Sequence, residues 1–404
     1  MKKFFALVLA LTMALSLAAC GESGGAAAGS AGGKGSSGKT LKIGVFEPAS
    51  GDNGAGGKQE VLGIQYAQSL TPTVDINGET YNVELKVVDN QSTTDKAVSA
   101  AQELVSAGVS VVLGSYGSGC SIAAAPIFGS AQIPAVGCSC TNPAVTAANP
   151  YYFRVCYIDP FQGPVMANFA KDQFQAKKTY VLTMLGEDYG SNLATFYEQE
   201  FKDKLGGEYK AESFPEGTSD FSAYIQNAVA YGADVIFAPS ATTYASLIIS
   251  QAAKAGCKIP ILAGDTWESS VILDAQKGSD LQVFCSTFFD ENDKSGTAAT
   301  FVKGFKEWLN ADKQRLTDNG GNDIVAAVSA LSFDAYNTAI EAIKIANSTK
   351  GSDIQQAMFK VDFDAVTGHI TIDPDTGDAN KGTAYIKQAD NGAFKFIKTQ
   401  SVAE

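Results

Sequence analysis

From Leu41 onward the chain alternates short β-branched runs with helical stretches, and it does so twice. Residues 41–46, 83–88 and 109–113 read as strands, the last flanked by glycines. Between the second and third, residues 93–107 place Ala97, Val98, Ala101, Leu104 and Val105 on one helical face, with Ser92 or Thr93 available as cap. That is β-α-β spacing. Residues 133–136 add a fourth strand after a helix from about Ser121, in which Pro126 marks an early turn or a kink. The rhythm restarts after Asp159: strands at 179–185, 208–213, 234–238 and 259–263 alternate with helices at 191–205, 221–231 and 244–255.

Two β/α series of similar length imply an α/β fold of two doubly wound, Rossmann-like lobes. The roughly 365 residues beyond position 39 exceed one comfortable core, which also favours two. Helices at 298–309 and 323–346 and a strand-rich tail from Gly368 remain. This unbalanced remainder predicts that the chain recrosses, helices completing the first lobe and the tail completing the second. Ligands in open α/β sheets bind beyond the carboxyl ends of the strands, so two facing lobes form a cleft there.

Ahead of the first strand, Lys2 and Lys3 precede an apolar stretch at 4–17, small Ala18 and Ala19, and Cys20. This is the pattern of a lipoprotein signal peptide spanning 1–19, with Cys20 as the lipidated first residue of the mature chain. Several acyl chains at about 0.8 kcal/mol per buried CH2 make a stable membrane anchor. Residues 21–39 form a Gly/Ser/Ala linker with an r.m.s. span of about 24 Å if fully flexible. Within it Gly21-Glu22-Ser23-Gly24-Gly25 matches a hydrolase elbow by letter only, since no strand precedes it and no helix follows. The apolar stretch is too short to span a bilayer, and no later segment approaches the ~20 apolar residues a spanning helix needs. The expected location is extracytoplasmic, lipid-anchored to the cell membrane. With 43 acids against 30 bases the net charge is -13, which argues against a nucleic-acid partner.

Four loops at strand ends carry the chemistry. Gly114-Ser115-Tyr116-Gly117-Ser118-Gly119-Cys120-Ser121 precedes an alanine-rich helix, where small residues let a ligand approach the backbone and free N-H groups favour an anion. No Lys-Ser/Thr follows the glycines, so nucleotide binding is not expected. Gly137-Cys138-Ser139-Cys140-Thr141-Asn142-Pro143 repeats the hydroxyl character one strand later. In the second series Asp188-Tyr189-Gly190 offers an aromatic and Gly264-Asp265-Thr266-Trp267 an acid. A carboxylate seat facing an acid is what a zwitterion requires, and charge-assisted hydrogen bonds of ~1.5 to 3 kcal/mol each suffice to decide lobe closure. Taken singly, Asp265 also reads as a helix cap and Tyr189 as a packing residue.

Beyond the signal lie Cys120, Cys138, Cys140, Cys156, Cys257 and Cys285. An oxidising exterior permits disulfides, but six thiols allow many pairings and small buried thiols fit better. Cys138-x-Cys140 is a weak metal signal, and no metal or cofactor is expected. The sole histidine, His369, sits next to a glycine before an alternating strand and supplies no evident base for a serine or cysteine nucleophile, so no enzyme is expected.

Over nearly all of residues 41–398 the chain resembles the extracytoplasmic solute-binding proteins of ABC importers in the leucine/isoleucine/valine-binding class, the type I periplasmic binding proteins. The marks, in order, are Leu41-Lys42-Ile43-Gly44-Val45, Val88-Asp89-Asn90-Gln91-Ser92, the Ser118 loop with Ala125-Pro126-Ile127, Ser139-x-Thr141-Asn142-Pro143, Tyr152-Phe153-Arg154, Gln162-Gly163-Pro164, Asp188-Tyr189-Gly190, Gly217-Thr218-Ser219-Asp220-Phe221 and Val366-Thr367-Gly368.

The resemblance implies a three-crossover hinge near residues 157, 290 and 365 and hinge closure around a solute. It places 41–156 with 290–365 in an N-terminal lobe and 157–289 with 366–404 in a C-terminal lobe. It also implies that Ser118 and Thr141 bind the ligand carboxylate or amine, that Ser139 contributes a main-chain contact, and that Tyr189 and Asp265 act from the second lobe, the acid holding an ammonium. Asp265 stands where branched-chain binders carry glutamate, so the ammonium sits deeper or is met through water. Their pocket aromatics fall near Gly56 or Gly57 and near Ala241 or Thr242, leaving Trp267 and Thr242 as further pocket residues.

The expected function is binding of a small solute, an amino acid first, by a monomer that hands it to an ABC permease. Two alternatives use the same lobes: a ligand-sensing module for a separate receptor, and transport of a short amide, urea or aromatic acid.

Overall fold

The computed structural model describes residues 38–147, 149–294 and 296–400. The Cys20 signal and most of its linker lie outside them. Six strands form the first sheet: β1 (Lys39–Glu47), β2 (Thr73–Ile76), β3 (Glu79–Asp89), β4 (Val111–Leu113), β5 (Ala135–Gly137) and β6 (Tyr152–Arg154), in the order β2-β3-β1-β4-β5-β6. β1 lies parallel to β3 and β4, and Ile43 pairs with Leu85 on one side and Val111 on the other. Its alternation feeds two cores. Leu41, Ile43 and Val45 join residues of helices α1 (Gly54–Leu70) and Ala327–Ala346, whereas Phe46 packs with residues of Thr94–Ala107 and Ser118–Ser130 on the opposite face.

The second sheet holds β7 (Lys178–Met184), β8 (Glu208–Phe214), β9 (Val235–Phe237), β10 (Ile261–Ala263) and β11 (Val283–Thr287). After the separate hairpin β12 (Asp362–Ala365) and β13 (Gly368–Thr371), the strands β14 (Ala384–Asp390) and β15 (Ala393–Gln400) complete it in the order β15-β14-β11-β10-β9-β7-β8. β14 runs antiparallel to β11. The chain therefore leaves the first sheet after β6, returns to pack Ala327–Ala346 on α1 after β11, and joins the second sheet again at β14. No described helix is long and apolar enough to cross a membrane.

The sequence pattern passes over α1, β2, β6, the helix Asp159–Phe174 and β11, among others. The β2–β3 hairpin turns on Asn77-Gly78, both at positive φ (52° and 78°), the residues a two-residue mirror-image turn requires. The helix Asp159–Phe174 contains Pro160 and Pro164 and is buried around much of its circumference, so it has no amphipathic stripe to detect. β11 is buried at all five positions although it ends in Ser286 and Thr287. Pro126 does not end its helix, which runs from Ser118 to Ser130 around it.

Candidate functional site

The loops after β4 and β5 form one wall. Ser118 opens the helix Ser118–Ser130, and its hydroxyl accepts from the Asn142 backbone N-H at 3.3 Å, joining the two loops. Arg154, fully buried at the end of β6, donates to the carbonyls of Cys140 (2.8 Å) and Asn142 (2.7 Å) and pairs with Asp378. A buried guanidinium is tolerated because all of this geometry is satisfied at once, and it fixes the 138–142 loop. Ser139 donates its hydroxyl to Glu60 of α1. The Thr141 hydroxyl is buried and makes no hydrogen bond of normal geometry.

The second wall is built on helix starts. Glu187 caps Asp188–Glu198 by accepting from the N-H groups of Tyr189 (3.0 Å) and Gly190. This turns the Tyr189 hydroxyl onto Asp265 Oδ1 at 3.0 Å, where Gln162 also donates from 2.7 Å. Gln162 is steadied by Ser286 at 2.9 Å. The cluster needs Gly264, because a Cβ there would lie 2.1 Å from the Tyr189 hydroxyl. Burial pushes the Asp265 carboxyl up to about 6, against the pull of the Gln162 and Tyr189 hydrogen bonds.

Asp159, the first residue of Asp159–Phe174, meets the first wall directly: its N-H donates to the Thr141 carbonyl at 3.0 Å. Both of its carboxylate oxygens are buried without a hydrogen bond of normal geometry. Burial raises its pKa to about 8; the Thr141 hydroxyl beside it pulls downward and the Asp265 charge pushes upward. Sequence patterning gave no warning of Asp159, because an acid before proline at a helix start reads as a terminus signal.

The walls also touch at the rim. Asn142 Nδ2 donates to the Asp188 carbonyl at 2.9 Å, the Tyr116 hydroxyl to the Thr266 carbonyl at 3.3 Å, and the Thr242 hydroxyl to the Asp52 carbonyl at 2.9 Å. These contacts bring the loops that carry Ser118, Ser139 and Thr141 against the elements that carry Asp188, Asp159 and Thr266, with Thr242 at the rim. Trp267 lies in the core of the second sheet, fully buried, with its indole N-H on the Ser240 carbonyl at 3.1 Å. The aromatic of the first wall is Tyr116 instead. A Cβ on Gly56 would lie 2.3 Å from its ring, so the ring occupies the space a side chain at that position would need.

Behind Tyr116, Glu47 accepts from its backbone N-H at 2.7 Å. Glu47, Glu60 and Cys138 bring ligand-type atoms within 4.8 Å of one another, all buried. Burial lifts Glu60 to about 7, and burial together with the Glu60 charge lifts Glu47 well above the carboxylate range. The six cysteines from Cys120 onward are free and buried, and burial holds the Cys120 thiol at about 12 and that of Cys140 at about 11. His369 is exposed on the β12–β13 hairpin, 2.8 Å from Asp364.

Comparison with known proteins agrees with this fold. The profile of the Periplasmic binding protein family matches residues 40–393. The Leu/Ile/Val-binding protein homolog 1 of Brucella suis is 27% identical over 342 residues, covering 84% of this chain and 88% of that protein. The crystal structure of the leucine-binding protein LivK from Thermotoga maritima superposes with a TM-score of 0.81 at 32% identity, covering 90% of this chain and 99% of the other. That of LivJ from Streptococcus pneumoniae, in complex with isoleucine, gives 0.78 at 26% identity, with coverage of 90% and 99%. The chain belongs to the type I periplasmic binding proteins, in the class of the leucine/isoleucine/valine-binding proteins, and is a solute-binding protein rather than an enzyme.

Proposed function

We propose that the protein binds an amino acid between its two sheets and delivers it to an ABC importer permease, as a monomer tethered to the outer face of the cell membrane through lipidated Cys20. The lobes are 41–156 with 290–365 and 157–289 with 366–404. One observation carries the reading: a wall of hydroxyls and amides at Ser118, Ser139 and Thr141 faces a wall of acids and a phenol at Asp159, Asp265 and Tyr189. The first suits a carboxylate and the second an ammonium, the two ends of a zwitterion. Ser118 and Thr141 take the carboxylate, Ser139 adds a main-chain contact, and Asp159, Asp265 and Tyr189 surround the ammonium.

A thermal-shift panel of the twenty amino acids tests this, since a ligand that binds only the folded form raises the melting temperature. At least one amino acid is expected to raise it. A panel silent for amino acids but responsive to urea, short amides or aromatic acids removes the zwitterion and keeps the transport role. Membrane fractionation of cells carrying Cys20→Ala tests the anchor: the variant is expected in the soluble fraction.

A further inference from the structure

We propose that the solute carries a second cationic nitrogen, recognised by Glu60 of the first wall with Glu47 behind it, which makes the preferred ligand a basic amino acid. The inference rests on the zwitterion reading above and adds the side chain to it.

Four acids close on the interface, Glu47 and Glu60 from one side and Asp159 and Asp265 from the other, each no more than 3% exposed. The buried cations nearby are committed elsewhere. Arg154 is spent on Asp378 and on the carbonyls of Cys140 and Asn142, and Lys387 on Glu268, with Asp290 at 3.9 Å. A zwitterion brings one ammonium, which Asp159, Asp265 and Tyr189 consume, and its carboxylate adds a further negative charge. Burial raises both Glu47 and Glu60, so the pair is neutral at low pH and acquires a buried negative charge as pH rises through about 7. An unpaired buried charge is expensive, and a cationic group on the solute removes the cost.

A second observation is independent of charge. Gln162 Oε1, both oxygens of Asp159, Glu47 Oε1 and Glu60 Oε2 are buried without a hydrogen-bond partner in normal geometry, Glu47 lying beside Glu60; the hydroxyls of Thr141, beside Asp159, and Tyr157 are buried in the same way. Buried polar atoms are normally satisfied, so a set in which acceptors outnumber donors calls for a ligand that supplies N-H donors. An aliphatic side chain offers none.

Glu60 is placed to meet it. Its carboxylate accepts from Ser139 of the site loop, and the charge of Asp265 across the interface acts on it. Tyr116 stands beside it in the space above Gly56, and its ring face gives a cation a further partner. The carboxylate seat at Ser118 and Thr141 favours a basic amino acid over a simple diamine.

Calorimetric titration of protein stripped of bound solute by unfolding and refolding decides the matter, using lysine, ornithine, arginine, leucine, isoleucine and putrescine. A basic amino acid is expected to bind at least roughly tenfold more tightly than leucine, the value of one charge-assisted contact. Its affinity should rise between pH 5.5 and 8 as the acids lose their protons, with protons released on binding in buffers of different ionisation enthalpy. Glu60→Gln should collapse the ratio of basic to aliphatic affinity. Should that variant fail to fold, proton release by the wild type remains decisive. Tight leucine or isoleucine binding with silent basic amino acids overturns the inference and leaves the amino-acid reading standing. Putrescine binding without any amino acid upholds the second cation and overturns the carboxylate seat. No binding by any of the six overturns both.

Discussion

The two walls of the cleft are made in different ways. Ser139 and Thr141 sit on a short loop after a three-residue strand and Ser118 at the helix start that follows another, and they present hydroxyls and amides held by Arg154 and by one another. The facing wall presents side chains launched from helix starts, Asp159 and Tyr189, which converge with Gln162 on Asp265. One wall is set by backbone and the other by titratable side chains. On the proposed reading the second wall selects the ammonium, while the first wall sets the shape of the site and carries Glu60, which selects the side chain.

Asp265→Ala should break this division most severely. It deletes the acceptor of both Tyr189 and Gln162 and is expected to weaken solute binding at least ~100-fold, or about 3 kcal/mol, measured by titration calorimetry. An effect of less than tenfold would place ammonium recognition elsewhere.

Next in size is the pH response of the solute-free protein. Asp159 near 8, Glu60 near 7 and Asp265 near 6 are all raised above their unfolded values, so the native state binds more protons than the unfolded chain. Their contribution to stability is therefore full below about pH 4 and is lost as pH climbs through the window from about 4 to 8. Urea unfolding at pH 5, 6.5 and 8 should show falling stability across that range. A rise would mean that the acids are paired.

Thr141→Ala sharpens the contrast from the other side. Its hydroxyl makes no normal hydrogen bond within the protein, so the stability of the solute-free form should change by less than about 1 kcal/mol while solute affinity falls roughly tenfold. The smallest effect belongs to the rim. Thr242→Val removes the bond to the Asp52 carbonyl, and a loss of about 0.5 to 1 kcal/mol would weaken binding by roughly two- to fivefold, with a matching shift toward the open form in solution scattering.

The walls were unequally legible in the sequence, and the reason is physical. Strand and helix periodicity reports elements that are polar on one side, and the two β/α series satisfied that condition. The helix Asp159–Phe174 did not, because it is buried around much of its circumference and broken by Pro160 and Pro164 in pattern only. Its first residue, Asp159, was lost with it. Tyr116 was visible only as a member of a glycine-rich turn, and Glu60 not at all, because α1, buried at ten of its seventeen residues, was not read from the pattern. In both cases the deciding partner is remote in sequence: Thr266 for Tyr116 and Ser139 for Glu60. The hairpin was a missed opportunity, since Asn77-Gly78 is an explicit turn signal. Trp267, beside Asp265 in sequence, packs in the core of the second sheet, a placement set by partners remote in sequence.

The pairing of Gly56 with Tyr116 constrains how this site can diverge. A side chain added at position 56 meets the Tyr116 ring at 2.3 Å, whereas removal of the ring alone leaves a void against a bare backbone. Each step alone disturbs the packing of the other residue, so the two positions are sterically coupled. A change of solute that places an aromatic on the first helix is therefore expected to need both positions altered together, and a laboratory selection that randomises one position at a time should miss that route.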